Sequence, residues 1–309
     1  MKVDIGVDGG QSQVRLSVVG RAEMAVSDGV AHTDGDPVRL LVASVTEAWA
    51  RLRQPDDAVG RIVLGITTMP ADEPTLNKLA RALFAETGAK EVWLVGDEIT
   101  AHLAALPEHH GVVLAVGTGV ACLAVDARSG RVRRVDGDGI LLGDNGGSFW
   151  IGRRGLAAAL ASGDGRGGET TLAVAAQERF GPIHQLAARV HARERPVNDI
   201  AQFASVVQDH ARAGDHVATT IVREPARELV ATTLAAASVC EPEPVPAVLL
   251  GRAASPGTPL RIEIERRVRE EARLVLVAAA GAPLDGALEL ASRGAPAVYE
   301  QFISKWSSP

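Results

Sequence analysis

The strongest constraint on the fold of this chain is a pattern that it uses twice: a buried strand, a glycine-rich turn and a second strand that returns beside the first. In the order strand, turn, strand, the two copies are residues 3–7, Asp8-Gly9-Gly10-Gln11-Ser12 and 14–19, and residues 112–116, Gly117-Thr118-Gly119 and 120–125. A third short strand is predicted after each copy, at 21–26 and 131–135. The repeat predicts an internal duplication.

The remaining segments alternate between helices and strands. Apolar residues recur at helical spacing over residues 38–52, and short β-rich runs predict strands at 62–66 and 92–95. The length of 309 residues exceeds the usual size of one compact unit. We therefore predict an α/β protein with an N-terminal domain over 1–107 and a C-terminal domain over 108–309. The second domain carries a helical insertion, and its last helix can pack back on the first domain.

Charge and cysteine content argue against several kinds of partner. The 32 basic and 38 acidic side chains leave a net charge of −6, whereas a nucleic-acid-binding surface or a membrane patch needs clustered Lys and Arg. Cys122 and Cys240 lie in no metal-ligand spacing, and His109-His110 is interpreted as a solvated linker. The sequence contains no recognisable signal peptide or membrane-spanning run. We expect a cytoplasmic protein with no nucleic-acid and no membrane partner.

The first turn offers groups that suit a phosphate and a metal ion. Asp8 ends a buried strand, where a carboxylate does not serve packing, and the turn after it offers amides unobstructed by side chains and the hydroxyl of Ser12. A carboxylate in this place suits Mg²⁺, which bridges nucleotide phosphates. The same residues also fit an ordinary Asp-Gly hairpin turn with a solvated acid. The sequence is not a Walker A loop, since no Gly-Lys-Ser or Gly-Lys-Thr follows.

Residues 141–152, with the sequence LLGDNGGSFWIG, form the most distinctive run in the chain. Its Gly-Asp-Asn-Gly-Gly-Ser core comes before a predicted helix. We therefore expect it to place amide donors and the Asp144 carboxylate at a helix N-terminus, where ligand oxygens are favoured. A surface loop with an Asn-Gly turn is the alternative.

Taken in order, these motifs resemble the N-acetylglucosamine kinase family. The segments that carry the resemblance are Ile5 to Gly10, Gly96-Asp97, Gly117-Thr118-Gly119, Leu142 to Gly152 and the looser adenosine-type segment Val248 to Ala253. That family belongs to the BadF/BadG/BcrA/BcrD-type ATPases, within the actin-like, hexokinase-like ATPases, and the similarity covers essentially the whole chain. It implies two ribonuclease-H-like domains with an interdomain cleft for ATP and a sugar. The implied activity is ATP-dependent phosphorylation of N-acetylglucosamine or glucosamine.

The resemblance also implies a role for each matching residue. Asp97 matches the catalytic carboxylate, which can accept the proton of the attacking hydroxyl, and Asp8 would hold Mg²⁺ through water. The residues expected at ATP are Gly9, Gly10, Gln11, Ser12, Gly117, Thr118, Gly119 and Gly251. The residues expected at the sugar are His32, Thr33, Asp97, Thr118, Gly137 and Asp144.

The chain departs from the family pattern mainly on the sugar side. Asn145 replaces the glutamate of the family's Asp-Glu-Gly-Ser run, and Asp136-Gly137-Asp138-Gly139 stands where the family has Gly-Gly-Trp-Gly. His32 or Thr33 takes the place of an asparagine that reads the sugar. In the first turn, Gln11 adds a bulky amide to a sequence that is usually Gly-Gly-Gly-Thr. These differences leave glucosamine, another amino sugar or a different polyol open as acceptors beside N-acetylglucosamine.

Two other functions compete with the kinase. A non-catalytic or ATP-hydrolysing nucleotide sensor of the same family would use the same fold. Activases of this family bind an iron–sulfur cluster through clustered cysteines, and the absence of such cysteines from the sequence argues against that kind of sensor. A ROK-type sugar kinase or repressor shares the fold in broad terms but normally carries a cysteine-rich zinc motif, which the sequence also lacks. For the kinase we expect ATP and Mg²⁺ as ligands, a small-molecule sugar as substrate and a homodimer as the assembly.

Overall fold

The computed structural model describes residues 1–30, 35–67, 69–70 and 72–308. The strands in these residues are β1 (Lys2–Gly9), β2 (Gln13–Val18), β3 (Met24–Asp28), β4 (Ala58–Ile66), β5 (Glu91–Gly96), β6 (His110–Val116), β7 (Val120–Asp126), β8 (Arg131–Val135), β9 (Val245–Leu250), β10 (Leu274–Leu276) and β11 (Ser304–Ser307). The α-helices are α1 (Pro37–Leu52), α2 (Glu73–Thr87), α3 (Asp97–Ala105), α4 (Ser148–Gly163), α5 (Leu172–Phe180), α6 (Leu186–His191), α7 (Pro196–Arg212), α8 (His216–Ala237), α9 (Pro259–Val268) and α10 (Pro283–Arg293).

Local sequence signals set the ends of the first two helices. The Asp36 carboxylate accepts a hydrogen bond from the amide of Arg39 at the start of α1, and Asp72 accepts one from Thr75 at the start of α2. Such caps satisfy amides that the helix itself leaves unpaired. Helix α2 stops at Gly88, which adopts the left-handed conformation that glycine tolerates best.

The strands form two sheets that share one strand order. The first runs β11-β5-β4-β1-β2-β3, and the second runs β10-β9-β6-β7-β8. Strand β1 pairs parallel with β4 and antiparallel with β2, and β4 pairs parallel with β5. Apart from the extra edge strand β11, each strand of the first sheet has a counterpart at the same place in the second. This strand order is that of a ribonuclease-H-like domain. Its occurrence in both sheets agrees with the internal duplication predicted from the two glycine-rich turns.

The chain divides into two compact units. Unit 1 comprises Met1–His110, Ala127–Arg131 and Ala279–Pro309, and unit 2 comprises Gly111–Asp126 and Val132–Ala278. The predicted domain boundary between residues 107 and 108 stays a prediction, because units defined by contacts need not be domains that fold independently.

Two helix pairs pack on the sheet of unit 1. Helices α1 and α2 contact each other and the strands β2, β3 and β5, while α3 and α10 form the second pair and contact β1 and β4. Helix α10 lies so close to β1 that a Cβ on Gly6 would be 2.8 Å from the backbone nitrogen of Leu288. His109 is half-buried, with its ring centroid 5.4 Å from that of Tyr299, and His110 begins β6. The interpretation of these two histidines as a solvated linker is therefore wrong.

Unit 2 has a larger helical layer. Helix α8 packs on β7 and contacts α4, α7 and α9, and α4 packs closely on α7. Buried residues of these elements, among them Val120, Phe203, Val207 and Leu229, belong to one apolar core. Among the helices of the described residues, none combines the length and the apolar character needed to cross a membrane.

Candidate active site

Strand register brings three polar residues of unit 1 to one edge of its sheet. Gly9 on β1 pairs with Ile66 on β4, and Ile66 pairs with Gly96 on β5. Because these strands are parallel, their carboxyl ends meet at the same edge, which is where α/β sheets commonly bind ligands. Asp8 comes just before this line of paired residues, whereas Thr67 and Asp97 come directly after it.

Asp97 is the first residue of α3, and its environment shifts its acidity. Its Oδ2 accepts a hydrogen bond of 2.7 Å from Thr67 Oγ1. Burial raises the pKa of Asp97 to about 7, because desolvation disfavours the charged form. Hydrogen bonds from the Thr67 hydroxyl and from the backbone of Glu98 lower the pKa, and the nearby charges of Glu98 and Asp8 raise it. A carboxyl that titrates near neutral pH is suited to general acid–base catalysis.

Asp8 is buried and paired with a cation. Its Oδ2 accepts a hydrogen bond of 2.9 Å from Arg15 Nη1, and the two residues face each other across β1 and β2. Burial raises the pKa of Asp8, and Arg15 works against that shift. Of the described residues, Arg15 is the one that bonds this carboxylate, and it leaves Oδ1 for a further partner.

The fit of Mg²⁺ to this carboxylate can be judged from the donors around it. The described residues contain no group of three His, Cys, Asp or Glu side chains that could hold a metal ion. Mg²⁺ commonly takes one or two protein carboxylates and completes its shell with waters and phosphate oxygens. The Asp8 carboxylate would suit such an ion, held through water as the resemblance implies, and the ion would neutralise phosphate charge.

The first turn is fixed by its own backbone. The amide of Gly10 donates to Gln13 O at 3.0 Å, and the amide of Val30 donates to Gly10 O at 3.2 Å. The amide of Thr67 donates to Gly9 O at 3.2 Å, so the turn is also tied to the end of β4. The turn is therefore a preformed loop next to Asp8, and the Gly10 amide serves to close it.

Asp144 is buried in unit 2 and adopts a positive φ of 60°. Its Oδ1 accepts a hydrogen bond of 3.1 Å from the amide of Val120, and its own amide donates to Asp136 Oδ1 at 3.1 Å. Burial raises the pKa of Asp144, the Val120 bond lowers it, and the charges of Asp136 and Asp138 raise it. These bonds hold the carboxylate beside the second glycine turn. Gly137, whose amide also donates to Asp136 Oδ1, lies in the same loop.

The amides at the start of α4 are used inside the protein. Ser148 N donates to Gly117 O at 2.8 Å, and Phe149 N donates to Thr118 O at 3.0 Å. The expectation that this run offers free helix amides to a ligand is therefore wrong for these two donors. Instead, these two bonds hold the turn Gly117-Thr118-Gly119 at the helix N-terminus.

Gly251 follows β9 where the chain passes close to the end of β6. It has a φ of 94°, and a Cβ there would lie 2.2 Å from Val116 O. Any other residue would be strained in this conformation and would also collide with the backbone. The position therefore requires glycine, and it lies at the same sheet edge as the Gly117 turn, because β6 and β9 pair in parallel.

The side chain of Asn145 contacts a carboxylate of α8. Its Nδ2 donates to Glu228 Oε2 on α8 at 2.7 Å. The Glu228 side chain is exposed.

The structure places the predicted site residues in two groups, one in each unit. Those in unit 1 are Asp8, Gly9, Gly10, Gln11, Ser12 and Asp97, and those in unit 2 are Gly117, Thr118, Gly119, Gly137, Asp144 and Gly251. His32 and Thr33 lie outside the described residues. The functions assigned to all of these residues stay predictions.

Two residues of the site were missed in the sequence. Thr67 and Arg15 belong to no motif, but both have a positional signal. Thr67 directly follows a predicted strand, and Arg15 lies on the return strand of the first hairpin, where it pairs in register with Asp8. An arginine opposite a buried aspartate predicts an ion pair once the hairpin register is known.

The ribonuclease-H-like strand order, present once in each of the two units, is the fold of the actin-like ATPases. The BadF/BadG/BcrA/BcrD ATPase family matches residues 5–291. The chain therefore belongs to this family, and both the predicted resemblance and the predicted fold class are confirmed. The prediction that the ligands bind in a cleft between the domains is untested and stays a prediction.

Several similar proteins are named as sugar kinases. An N-acetylmuramic acid/N-acetylglucosamine kinase of Clostridium acetobutylicum is 26% identical over 249 residues, which cover 77% of this chain and 80% of that protein. A solved structure of a Chromobacterium violaceum protein, assigned as an N-acetylglucosamine kinase, has a TM-score of 0.74 at 23% identity and covers 94% of this chain and 99% of its own. A ROK family glucokinase of Streptomyces griseus, solved with glucose and AMPPNP, has a TM-score of 0.59 at 18% identity over 94% of this chain and 100% of its own. At these identities the solved structures establish the fold alone.

Proposed function

We propose that the protein is an ATP-dependent kinase that phosphorylates a hydroxyl of an amino sugar, N-acetylglucosamine or glucosamine. The observation that carries the proposal is Asp97, a carboxyl group at the carboxyl ends of the parallel strands whose pKa is raised to about 7. The family and the named kinase relative support the same reaction class.

Asp97 would act as the general base. The acceptor hydroxyl donates a hydrogen bond to the free carboxylate oxygen, and its proton passes to Asp97 as the oxygen attacks the γ-phosphorus. The bond between that phosphorus and the oxygen bridging to the β-phosphate breaks, and ADP leaves with the electron pair. Asp97 then loses its proton to solvent, which a pKa near 7 makes easy at neutral pH.

The other groups would bind and orient the two substrates. The first turn and the Gly117 turn would contact phosphates, and Gly251 would let the chain pass close to the adenosine. Asp8 would hold Mg²⁺, which neutralises phosphate charge when bound. Thr118, Gly137 and Asp144 would contact sugar hydroxyls. The Asp144 carboxylate suits this role because it can accept hydrogen bonds from two hydroxyl groups. His32 and Thr33 stay candidates for the same task, and a homodimer in the cytoplasm remains the expected state.

The charge of the Asp144 loop favours a cationic acceptor. Asp136, Asp138 and Asp144 lie in one loop without a basic residue, and Asn145 holds the Glu228 carboxylate against it. The ammonium group of glucosamine gains from this negative potential, whereas a neutral acetamido group does not. We therefore expect glucosamine to be the better acceptor of the two.

The variant Asp97→Asn tests the reaction. We expect it to lower sugar-dependent ADP release by roughly 100-fold or more, because the general base is lost, and to leave ATP binding measurable by calorimetry. The exposed Asp56→Asn is the matched control and should keep normal turnover. If Asp97→Asn turns over as fast as the unaltered protein, the assignment of the base is wrong.

A panel of acceptors tests the substrate. ADP release is measured with N-acetylglucosamine, glucosamine, N-acetylmannosamine, glucose and no sugar. The proposal expects release only with a sugar and the highest kcat/KM with glucosamine. Hydrolysis without any sugar, or no release at all, would favour the nucleotide sensor instead.

A further inference from the structure

We infer that Thr67 is a positioning residue for the reaction, in that its hydroxyl holds one carboxyl oxygen of Asp97 and leaves the other aimed at the acceptor hydroxyl. The inference rests on the proposed function, in which Asp97 is the general base. Thr67 touches neither reacting atom in this scheme and acts through Asp97.

The sheet places Thr67 between the first turn and Asp97. It directly follows Ile66, which pairs with Gly9 on one side and Gly96 on the other. Its Oγ1 lies 2.7 Å from Asp97 Oδ2 and 3.3 Å from Gly9 O, and its amide donates to Gly9 O at 3.2 Å. The backbone of Thr67 is therefore fixed by β1 while its side chain reaches across to the carboxyl group that follows β5.

A hydroxyl carries one proton to donate. Of the two acceptors within reach, the ionised carboxylate at 2.7 Å is favoured over the carbonyl at 3.3 Å, because hydrogen bonds to charged groups are stronger. The bond occupies Oδ2 and restricts rotation of the carboxyl group. Oδ1 is then the atom that takes the proton of the acceptor, in a fixed orientation.

The Thr67 hydroxyl also affects the protonation of Asp97, which lies among charged groups. Glu98 on α3 and Asp8 on β1 both disfavour the ionised form of Asp97, and Arg15 on β2 partly neutralises Asp8. Thr67 and the backbone amide of Glu98 each supply a hydrogen bond that favours the ionised form, and the Thr67 bond has the larger effect. The ionised form is the one that a general base needs. Its loss would both free the carboxyl group to rotate and keep it protonated to a higher pH.

The test compares Thr67→Val, which keeps the shape and removes the hydroxyl, with Thr67→Ser, which keeps the hydroxyl. We expect Thr67→Val to lower kcat by about 10- to 100-fold, since small errors of orientation cost that much, with KM for ATP and sugar changed by less than about threefold. Its acid limb in the pH profile of kcat should move to higher pH. Thr67→Ser should restore kcat to within about threefold. Thr46→Val is the control, because it removes a hydroxyl that bonds Val42 O within α1.

Several outcomes decide the question. If none of the sugars in the panel stimulates ADP release by the unaltered protein, the proposed function fails, and this inference fails with it. If the unaltered protein is active but Thr67→Val keeps its kcat and its acid limb, only the inference is overturned. The same holds if Thr67→Ser is as slow as Thr67→Val while circular dichroism shows both folded. Should Thr67→Val not fold, Thr67→Ala takes its place with the same expectations.

Discussion

The raised pKa of Asp97 has a consequence for stability that can be measured without any substrate. A carboxyl group whose pKa is higher in the folded protein than in the unfolded chain holds its proton more tightly when folded. Its contribution to stability is therefore largest at low pH and is lost as the pH rises from the unfolded value toward the folded one. Replacing Asp97 by Asn, which is neutral and of the same shape, removes this pH dependence.

The magnitude follows from the two pKa values. The folded value is about 7 and the ordinary value is 3.8, and each unit corresponds to about 1.4 kcal/mol. At pH 8 the ionised Asp97 therefore costs the folded state about 4 kcal/mol relative to a neutral group, whereas at pH 5 it costs only about 1.7 kcal/mol. Relative to the unaltered protein, Asp97→Asn should gain about 2 to 3 kcal/mol of stability between pH 5 and pH 8.

Urea unfolding followed by tryptophan fluorescence suits this measurement. Trp49, Trp93 and Trp306, three of the four tryptophans, lie in unit 1 with Asp97, so the signal reports mainly the unit that carries the substitution. The experiment is run without nucleotide or Mg²⁺, with Asp56→Asn as the exposed control. An Asp97→Asn protein whose stability tracks the unaltered protein at every pH would refute the account of Asp97.

Two further predictions concern single positions. Gly251→Ala should destabilise the protein by more than about 2 kcal/mol in urea unfolding, because the new Cβ would meet Val116 O. Gly214→Ala is its matched control, with a φ of 93° but no atom within 4 Å of the new Cβ, and should cost only about 1 kcal/mol; equal losses would show that the collision does not matter. Tyr299→Phe should lower the free energy of unfolding by about 1 to 2 kcal/mol in the same assay, because it removes the 2.8 Å hydrogen bond between the Tyr299 hydroxyl and Nδ1 of buried His102. An unchanged urea midpoint would contradict this prediction.

Much of the fold could be predicted because its signals are local. The predicted strands at 3–7 and 112–116 correspond to β1 and β6, and the helix predicted over 38–52 matches α1 within one residue. Each depends on hydrophobic periodicity and on turn residues within a few positions of one another. The repeated glycine-rich turn predicts an internal duplication, and the two sheets confirm it by their common strand order.

The site was harder to predict because its contacts are not local. The hydrogen bond between Thr67 and Asp97 joins residues 30 positions apart, and it depends on the register of β4 with β5, which no motif encodes. The expectation for the run at 141–152 is wrong for the amides of Ser148 and Phe149, for a related reason. The sequence predicts a ligand site at this helix N-terminus. The amides of Ser148 and Phe149 instead donate to carbonyls of a turn that precedes them in the chain by about 30 residues.

The discontinuity of unit 1 has a consequence for how the protein is made. Helix α10 covers β1 closely at Gly6, and β11 pairs antiparallel with β5. A ribosome releases the first strands of unit 1 long before it releases these two elements. The face of β1 that α10 covers therefore stays open until the segments of unit 2 have been synthesised, and residues 279–308 are needed before the sheet of unit 1 is complete.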